Sequence, residues 1–313
     1  MRAATVVDNT IEIREHPDPV PGAGQILVRV RAAGLNGADM LQKRGLYPSP
    51  PGVPADIPGL ELAGEVAGLG PGATRFALGD RVMAVVGGGA QAELAVLHER
   101  EAMPVPEPLS WAEAGGLPEV FTTAHDALFS QAGLGVGERL LVHGAAGGVG
   151  TAGVQLGVAA GAAVTATVRN EEARPSVAEL GAHVIAPSES AGHGPYDVIL
   201  ELVGAPNMAA NLESLAVGGR IAVIGVGGGA KAEIDLLAVM GKRARIHGST
   251  LRARPLEQKA DAARRMEAHV LPLFATRRLR VPVHATFTLE EAAAAYDHFA
   301  AGGKFGKVVI TLG

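Results

Sequence analysis

No cysteine occurs anywhere in the 313 residues. Disulfides are thereby excluded, as is every metal site that needs a thiolate. Charge is sparse too: 19% of the residues are Asp, Glu, Lys or Arg, and the formal net charge is -5. The tightest basic cluster, Arg277, Arg278 and Arg280, reads as a solvated helix end rather than a phosphate track. Nucleic acid is therefore a poor candidate partner. No apolar run reaches the ~18 residues of a membrane span. The opening MRAATVVDNT lacks the charged-then-apolar profile of a signal peptide, so a cytoplasmic protein is expected.

Apolar residues and glycine are what the chain has in plenty. Nearly half of it, 48%, is hydrophobic, which supports a large core and argues against disorder. Its length fits two domains. Many of the 43 glycines gather in loops, where backbone must approach something closely.

From about residue 120 to 250, short β-branched runs alternate with Ala-rich helical stretches. Strands are expected at Arg139–His143, Ala163–Val168, His183–Ala186, Asp197–Leu202, Arg220–Gly225 and Arg245–Thr250, with helices such as Val149–Ala160 and Asn211–Ala216 between them. That repetition implies an α/β, doubly wound parallel sheet of the Rossmann kind. The first 118 residues are β-rich instead, with strands at Gln25–Ala32, Glu61–Gly70 and Arg81–Val86. Within them the stretch YPSPPGVPADIP (47–58) is too rich in proline for regular structure, and a long irregular loop in a compact domain is usually functional. Ser110 and Glu113 form a capping box that opens a short helix. After residue 275 strand, helix and strand return, so 275–313 is expected to complete the first domain (1–118), leaving 119–274 as the dinucleotide domain.

Directly after the first strand of that second half come Gly144, Ala145, Ala146, Gly147, Gly148, Val149 and Gly150, and then a helix. A glycine loop in this context offers backbone N–H groups and the positive helix end to a pyrophosphate. The plainer alternative is a tight turn that packs helix on sheet. An NAD site ends the next strand with Asp or Glu on the ribose hydroxyls. This chain has Thr167, Val168, Arg169 and Asn170 there. Arg169 would pair with a 2′-phosphate that a carboxylate would repel, and Arg174 supplies a second charge, so NADPH is the expected cofactor. Glu171 and Glu172 cut the other way but lie past the strand end, where they are expected to face solvent.

Taken in order, LNGADMLQKRGLYPSPPG (35–52), PGLELAGEV (58–66), LGDRVMAVVGGG (78–89), LPEVFTTA (117–124), HGAAGGVG (143–150) and GKFGKVVI (303–310) span almost the whole chain. In these segments the sequence resembles the medium-chain dehydrogenase/reductase superfamily, specifically its zinc-free NADPH quinone oxidoreductase, or zeta-crystallin-like, branch. The resemblance implies a GroES-like catalytic domain beside the Rossmann domain. Zinc enzymes of the superfamily carry a cysteine ligand near Asn36 and a Gly-His-Glu where this chain has Gly59, Leu60 and Glu61. Their four-cysteine lobe is missing as well. Metal-free hydride transfer to a quinone is what the resemblance implies.

By the same resemblance Tyr47 and Asn36 line the substrate pocket, the phenol as a hydrogen-bond or proton donor and the amide orienting the carbonyl. Tyr47 has packing against the proline loop as its alternative, and Asn36 a turn bonded to its own backbone. Thr123 resembles the threonine on the nicotinamide carboxamide, and a helix N-cap is the other reading. Gly225, Val226 and Gly227 would form the loop against the nicotinamide ring, a mere turn being the alternative. Lys304 and Lys307 look like cofactor-edge residues. No histidine has metal-ligand spacing, and no Ser-His-Asp set is present. Two alternatives stand beside the quinone reading: an NADPH-dependent enone or enoyl reductase, and a non-catalytic NADPH-binding protein. The last Rossmann strand, being a sheet edge with little to blunt it, points to a homodimer, as in related quinone reductases.

Overall fold

The computed structural model describes residues 1–313, which fall into two units. The first comprises Met1–Thr122, Leu251–Gly302 and Lys307–Gly313, and the second Thr123–Thr250 with Gly303–Gly306. No helix is long and apolar enough to cross a membrane.

The first unit is organised by one long strand, Gln25–Leu35, which pairs antiparallel with Glu61–Leu69, Leu94–His98 and the C-terminal strand Lys307–Thr311. Its alternation explains the sheet: Ile26, Val28 and Val30 are at most 1% exposed, with Leu27 and Arg29 on the other face. From Ala32 onward both faces are covered, and the alternation gives way to a continuous apolar run. Val283–Thr288 lies parallel to the C-terminal strand at one edge of this seven-stranded mixed sheet. Ile26, Val28, Leu62, Tyr296, Val308 and Ile310 are part of one core. A separate hairpin, Arg2–Val7 with Thr10–Glu15, turns through Asp8 and Asn9 at φ of 48° and 64°. Two residues tolerant of positive φ between apolar alternations signal such a turn.

Helix Leu256–His269 also belongs to the first unit, although the sequence reading assigns it to the dinucleotide half. Its apolar stripe is thin, only Ala260, Ala263 and Met266 being buried. Polar contacts supplement it: Lys259 lies 3.0 Å from Glu101, Arg100 lies 2.6 Å from Glu257, and Arg264 donates to the Ala102 carbonyl at 2.7 Å. Long-range ion pairs of this sort leave no periodic mark in a sequence.

The second unit is a six-stranded parallel sheet. Its order is His183–Ile185, Ala163–Thr167, Arg139–Val142, Tyr196–Glu201, Leu215–Val223 and Arg245–Gly248, which in order of sequence is 3-2-1-4-5-6. That is the α/β doubly wound arrangement the alternating pattern implies. The largest departure from the expected boundaries lies around residue 215. The sixth helix of the chain's regular α-helices ends at Ser214, and the fifth strand begins at Leu215, five residues early. Gly218 and Gly219 read as a turn, yet the strand runs through them with a shift of register between Tyr196 and Val198 on its neighbour. Glycine at φ 82° lets a strand bulge without ending it.

Candidate functional site

In the second unit the strand Arg139–Val142 runs into the glycine loop, and helix Gly148–Ala159 starts from Gly147. Gly147 caps this helix without any side-chain hydrogen bond, so the first-turn N–H groups are not met by a capping side chain. Two glycines are fixed by close approach. A Cβ on Gly150 would sit 2.4 Å from the Gly144 carbonyl oxygen, and one on Gly153 would sit 2.6 Å from Leu200 Cδ2. Around Gly147 the space is more open: the nearest atom to an added Cβ is the Gly144 oxygen at 3.5 Å. Gly306 N donates to the Ala146 carbonyl at 2.8 Å, and Asn170 Nδ2 reaches Gly303 O at 3.5 Å. The Gly303–Gly306 segment, with Lys304 in it, therefore lies alongside the loop. Gly148 and Val149 begin the helix that the loop feeds.

Arg169 is exposed at the end of the second strand. Asn170 accepts from Glu172 N at 3.1 Å and so caps the short turn Glu171–Ala173. Arg174 donates to the Val168 carbonyl at 3.2 Å, which holds it under the strand end, and lies 3.4 Å from Glu171. Glu171 is 83% exposed, so that pair is weak and does not tie up the arginine. Gly225 and Gly227 differ in kind. A Cβ at Gly225 would strike the Leu202 carbonyl at 2.4 Å, whereas one at Gly227 would meet nothing within 4 Å. Val226 between them is 46% exposed. Thr123 lies in the last turn of helix Pro118–His125, so its reading as an N-cap does not hold.

Beneath this loop region the sequence reading misses a buried network. His143 Nδ1 meets Thr167 Oγ1 at 2.9 Å, and Nε2 meets Asn211 Oδ1 at 2.7 Å. Asn211 Nδ2 donates to Glu201 at 2.7 Å, which fixes the amide and makes His143 Nε2 the donor. Glu201 also accepts the backbone N–H groups of Val203 and Gly204, both at 2.7 Å. Burial pushes the His143 pKa down, and the neutral ring serves as a strut beneath the loop.

The first unit holds a second buried set. Lys307 is 3% exposed, and its ammonium lies 2.7 Å from Glu61 Oε1. It also donates to Asn36 Oδ1 at 2.6 Å and to the Leu35 carbonyl at 2.8 Å. Lys307 is thus not a cofactor-edge residue: its side chain turns into the core, because a partner carboxylate waits there. Asn36 Nδ2 donates to Glu61 at 2.9 Å and more weakly to Gly34 O at 3.4 Å. Glu61 Oε2 accepts from Glu119 N at 2.9 Å. Asp39 accepts from Asn36 N at 2.8 Å and Gly59 N at 3.0 Å. Leu60, between those acceptors, is 4% exposed and offers no ligand. No group of three His, Cys, Asp or Glu side chains is arranged to hold a metal ion.

Tyr47 lies half-buried in the proline-rich loop, which has no regular structure. Burial raises the pKa of its phenol, and the nearby Arg252 guanidinium opposes that rise. The guanidinium is 4.8 Å from the Tyr47 ring centroid, a contact nothing in the sequence pattern announces.

The comparisons with known proteins accord with both units. Residues 22–107 match the family model "Alcohol dehydrogenase GroES-like domain", and residues 148–269 match "Zinc-binding dehydrogenase". A quinone oxidoreductase of Rattus norvegicus is 33% identical over 307 residues, covering 94% of this chain and 91% of the relative. A pikromycin polyketide synthase component of Streptomyces venezuelae is 36% identical over 308 residues, 95% of this chain but 8% of that one. A mycobacterial protein solved in complex with NADPH superposes with a TM-score of 0.88 at 25% identity, covering 99% of this chain and all of the other.

Asp39 supplies a test of the polar core. Desolvation outweighs its two N–H bonds and the Lys307 charge, raising its pKa from 3.8 to about 6. The folded state then binds a proton more tightly than the unfolded chain, so Asp39's contribution to stability falls as pH rises from about 4 to 6, by up to about 3 kcal/mol. Other carboxylates titrate in the same window, so the measurement is a difference. In denaturant unfolding across that window the wild type should lose more stability with rising pH than Asp39→Asn does, and equal slopes would mean that the carboxyl is not desolvated.

Proposed function

The chain belongs to the zeta-crystallin-like quinone oxidoreductase branch of the medium-chain dehydrogenase/reductase superfamily, and from that premise we propose that it reduces quinones with NADPH and without a metal. The observation that carries the metal-free reading is the Lys307–Glu61–Asn36 set. An amide, an ammonium and a carboxylate already bonded to one another, with a leucine beside them, are the wrong donors for zinc. A positive charge is supplied there by Lys307 instead.

The residues around the glycine loop suit the dinucleotide. First-turn N–H groups from Gly148 onward would receive the pyrophosphate, and Lys304 flanks the loop. Arg169 and Arg174 would face the 2′-phosphate, with Asn170 between them. Thr123, Gly225, Val226 and Gly227 are the proposed contacts at the nicotinamide end. The bound cofactor supplies a hydride, and negative charge then gathers on the acceptor oxygen. Tyr47 donates a hydrogen bond or proton to that oxygen. Asn36 has its amide committed to Lys307 and Glu61, so it shapes the pocket wall and passes on the polarisation of the ammonium.

A second acceptor class, conjugated enones or enoyl thioesters, draws support from the match to part of a polyketide synthase. Both classes present an electron-poor conjugated carbonyl. NADPH oxidation across benzoquinones, naphthoquinones, alkenals and enoyl thioesters separates them. Quinones should react fastest, dialysis against a chelator should leave the rate intact, and Tyr47→Phe should lower kcat about 10–100-fold with NADPH affinity nearly constant. Loss of activity on chelation, or quinone rates at background, would overturn the proposal.

Cofactor choice is tested separately. Two charge-assisted bonds to a 2′-phosphate favour NADPH over NADH by about 30–150-fold. Fluorescence titration should show that preference in the wild type and its collapse in Arg169→Ala.

The same reading includes a homodimer. Strand Arg245–Gly248 pairs on one side only, and helix Leu236–Lys242, which precedes it and packs on Leu215–Val223, leaves Leu236, Leu237 and Met240 between 71% and 78% exposed. An apolar patch next to an open sheet edge suits a second copy related by a twofold axis. Light scattering behind a sizing column should give about twice the 31.8 kDa chain mass. A single peak at the chain mass would count against it.

A further inference from the structure

Arg252 follows the last strand of the second unit's sheet in the sequence. In the structure it is 4% exposed and sits within the first unit. Its Nε donates to the Gly87 carbonyl at 2.7 Å and Nη1 to the Tyr47 carbonyl at 2.8 Å. Nη2 donates to Gln42 Oε1 at 2.5 Å and Ser49 Oγ at 2.9 Å. All four acceptors are neutral. A guanidinium taken out of water normally meets a carboxylate, because neutral acceptors compensate only part of the lost hydration. The residual positive charge has one conspicuous neighbour, the Tyr47 ring, whose centroid is 4.8 Å away.

The geometry fixes this pairing from two directions. One nitrogen holds the Tyr47 main chain while the guanidinium carbon addresses its ring. Gln42 belongs to helix Gly37–Lys43 and Ser49 to the loop, so three separate pieces of chain converge on one side chain. A cation near the ring draws electron density from the phenol, making its O–H a stronger donor and its anion more stable.

We propose that Arg252 is the positioning residue for Tyr47, holding the proline-rich loop in place and lending its unneutralised charge to the phenol as an acceptor oxygen becomes negative. The inference rests on the reading of Tyr47 as donor. The step balances simply. A quinone takes a hydride at one end of its conjugated system and the phenol proton on oxygen, giving the hydroquinone. Arg252 stabilises the tyrosinate left behind until water returns a proton to it. Two other charges bear on the pair: Glu119, which acts on Tyr47 in the opposite sense, and Asp39, whose negative charge acts on Arg252.

A tyrosinate absorbance titration tests the proposal without reference to turnover. The chain has three tyrosines, and Tyr196 and Tyr296 are fully buried. Tyr47 should therefore ionise first, and the step that disappears in Tyr47→Phe assigns it. In Arg252→Met that step should move to higher pH, and kcat should fall about tenfold with NADPH affinity unchanged. Arg252→Lys, which keeps the charge, should recover much of both. Should Arg252→Met not fold, Arg252→Gln removes the charge while retaining a donor for the loop carbonyls and carries the same expectation. An unmoved titration step in a folded neutral variant overturns the proposal. Wild-type turnover by Tyr47→Phe would instead defeat the donor reading on which it rests, so the two failures are distinct.

Discussion

The Lys307 ammonium, 2.7 Å from Glu61 and at hydrogen-bond distance from Asn36 and the Leu35 carbonyl, is the interaction on which the first unit turns. It joins the start of the C-terminal strand to the end of the strand Gln25–Leu35, across 272 positions of sequence. A buried pair of this kind adds little net stability, because removing both charges from water costs nearly what their attraction returns. Losing one partner is another matter, leaving a stranded charge at a cost of about 3–5 kcal/mol. The pair therefore dictates arrangement more than it deepens the well. Asn36, Asp39 and Gly59 take their positions from it, and with them the start of the segment that leads to Tyr47.

The second unit solves a similar problem with a single carboxylate, an amide and a neutral imidazole. His143, Asn211 and Glu201 link the first strand's end to the loop after the fourth strand through bonds of 2.7 Å. A bonded polar network thus lies at the base of the glycine loop in one unit and of the segment after Leu35 in the other. Loops anchored in this way spend less conformational entropy on binding.

Much of this architecture is legible in the sequence, and the reasons are local. The glycine loop, the parallel alternation and the irregular course of the proline run follow from short patterns at residues 139–150, 163–168 and 47–58. What escapes is non-local. Nothing within ten residues of Lys307 foretells Glu61, and Arg252 finds Tyr47 across 205 positions. An isolated charge in an otherwise apolar stretch is the nearest thing to a signal: Lys307 opens the run KVVITL, and Glu61 lies within PGLELAG. Asn36 and Tyr47, which the resemblance proposes for the site, are placed by these hidden partners. Helix Leu256–His269 is misassigned for a related cause: its apolar stripe is thin, and its contacts through Lys259 and Arg264 reach residues far away in sequence.

The pairing of Gln25–Leu35 with Lys307–Thr311 has a consequence for how the chain is made. Strand Gln25–Leu35 leaves the ribosome long before residues 307–311, which supply one of its partners. Until then the long strand has a bare edge and its apolar face lacks Val308 and Ile310. The strands of the second unit, by contrast, all lie within 139–248 and meet neighbours as synthesis proceeds. Local βαβ units close quickly, whereas a pairing over ~270 residues is entropically slow. The second unit can thus close its sheet as its strands emerge, whereas the first, which bears Tyr47, cannot complete its own until residue 311 has been made.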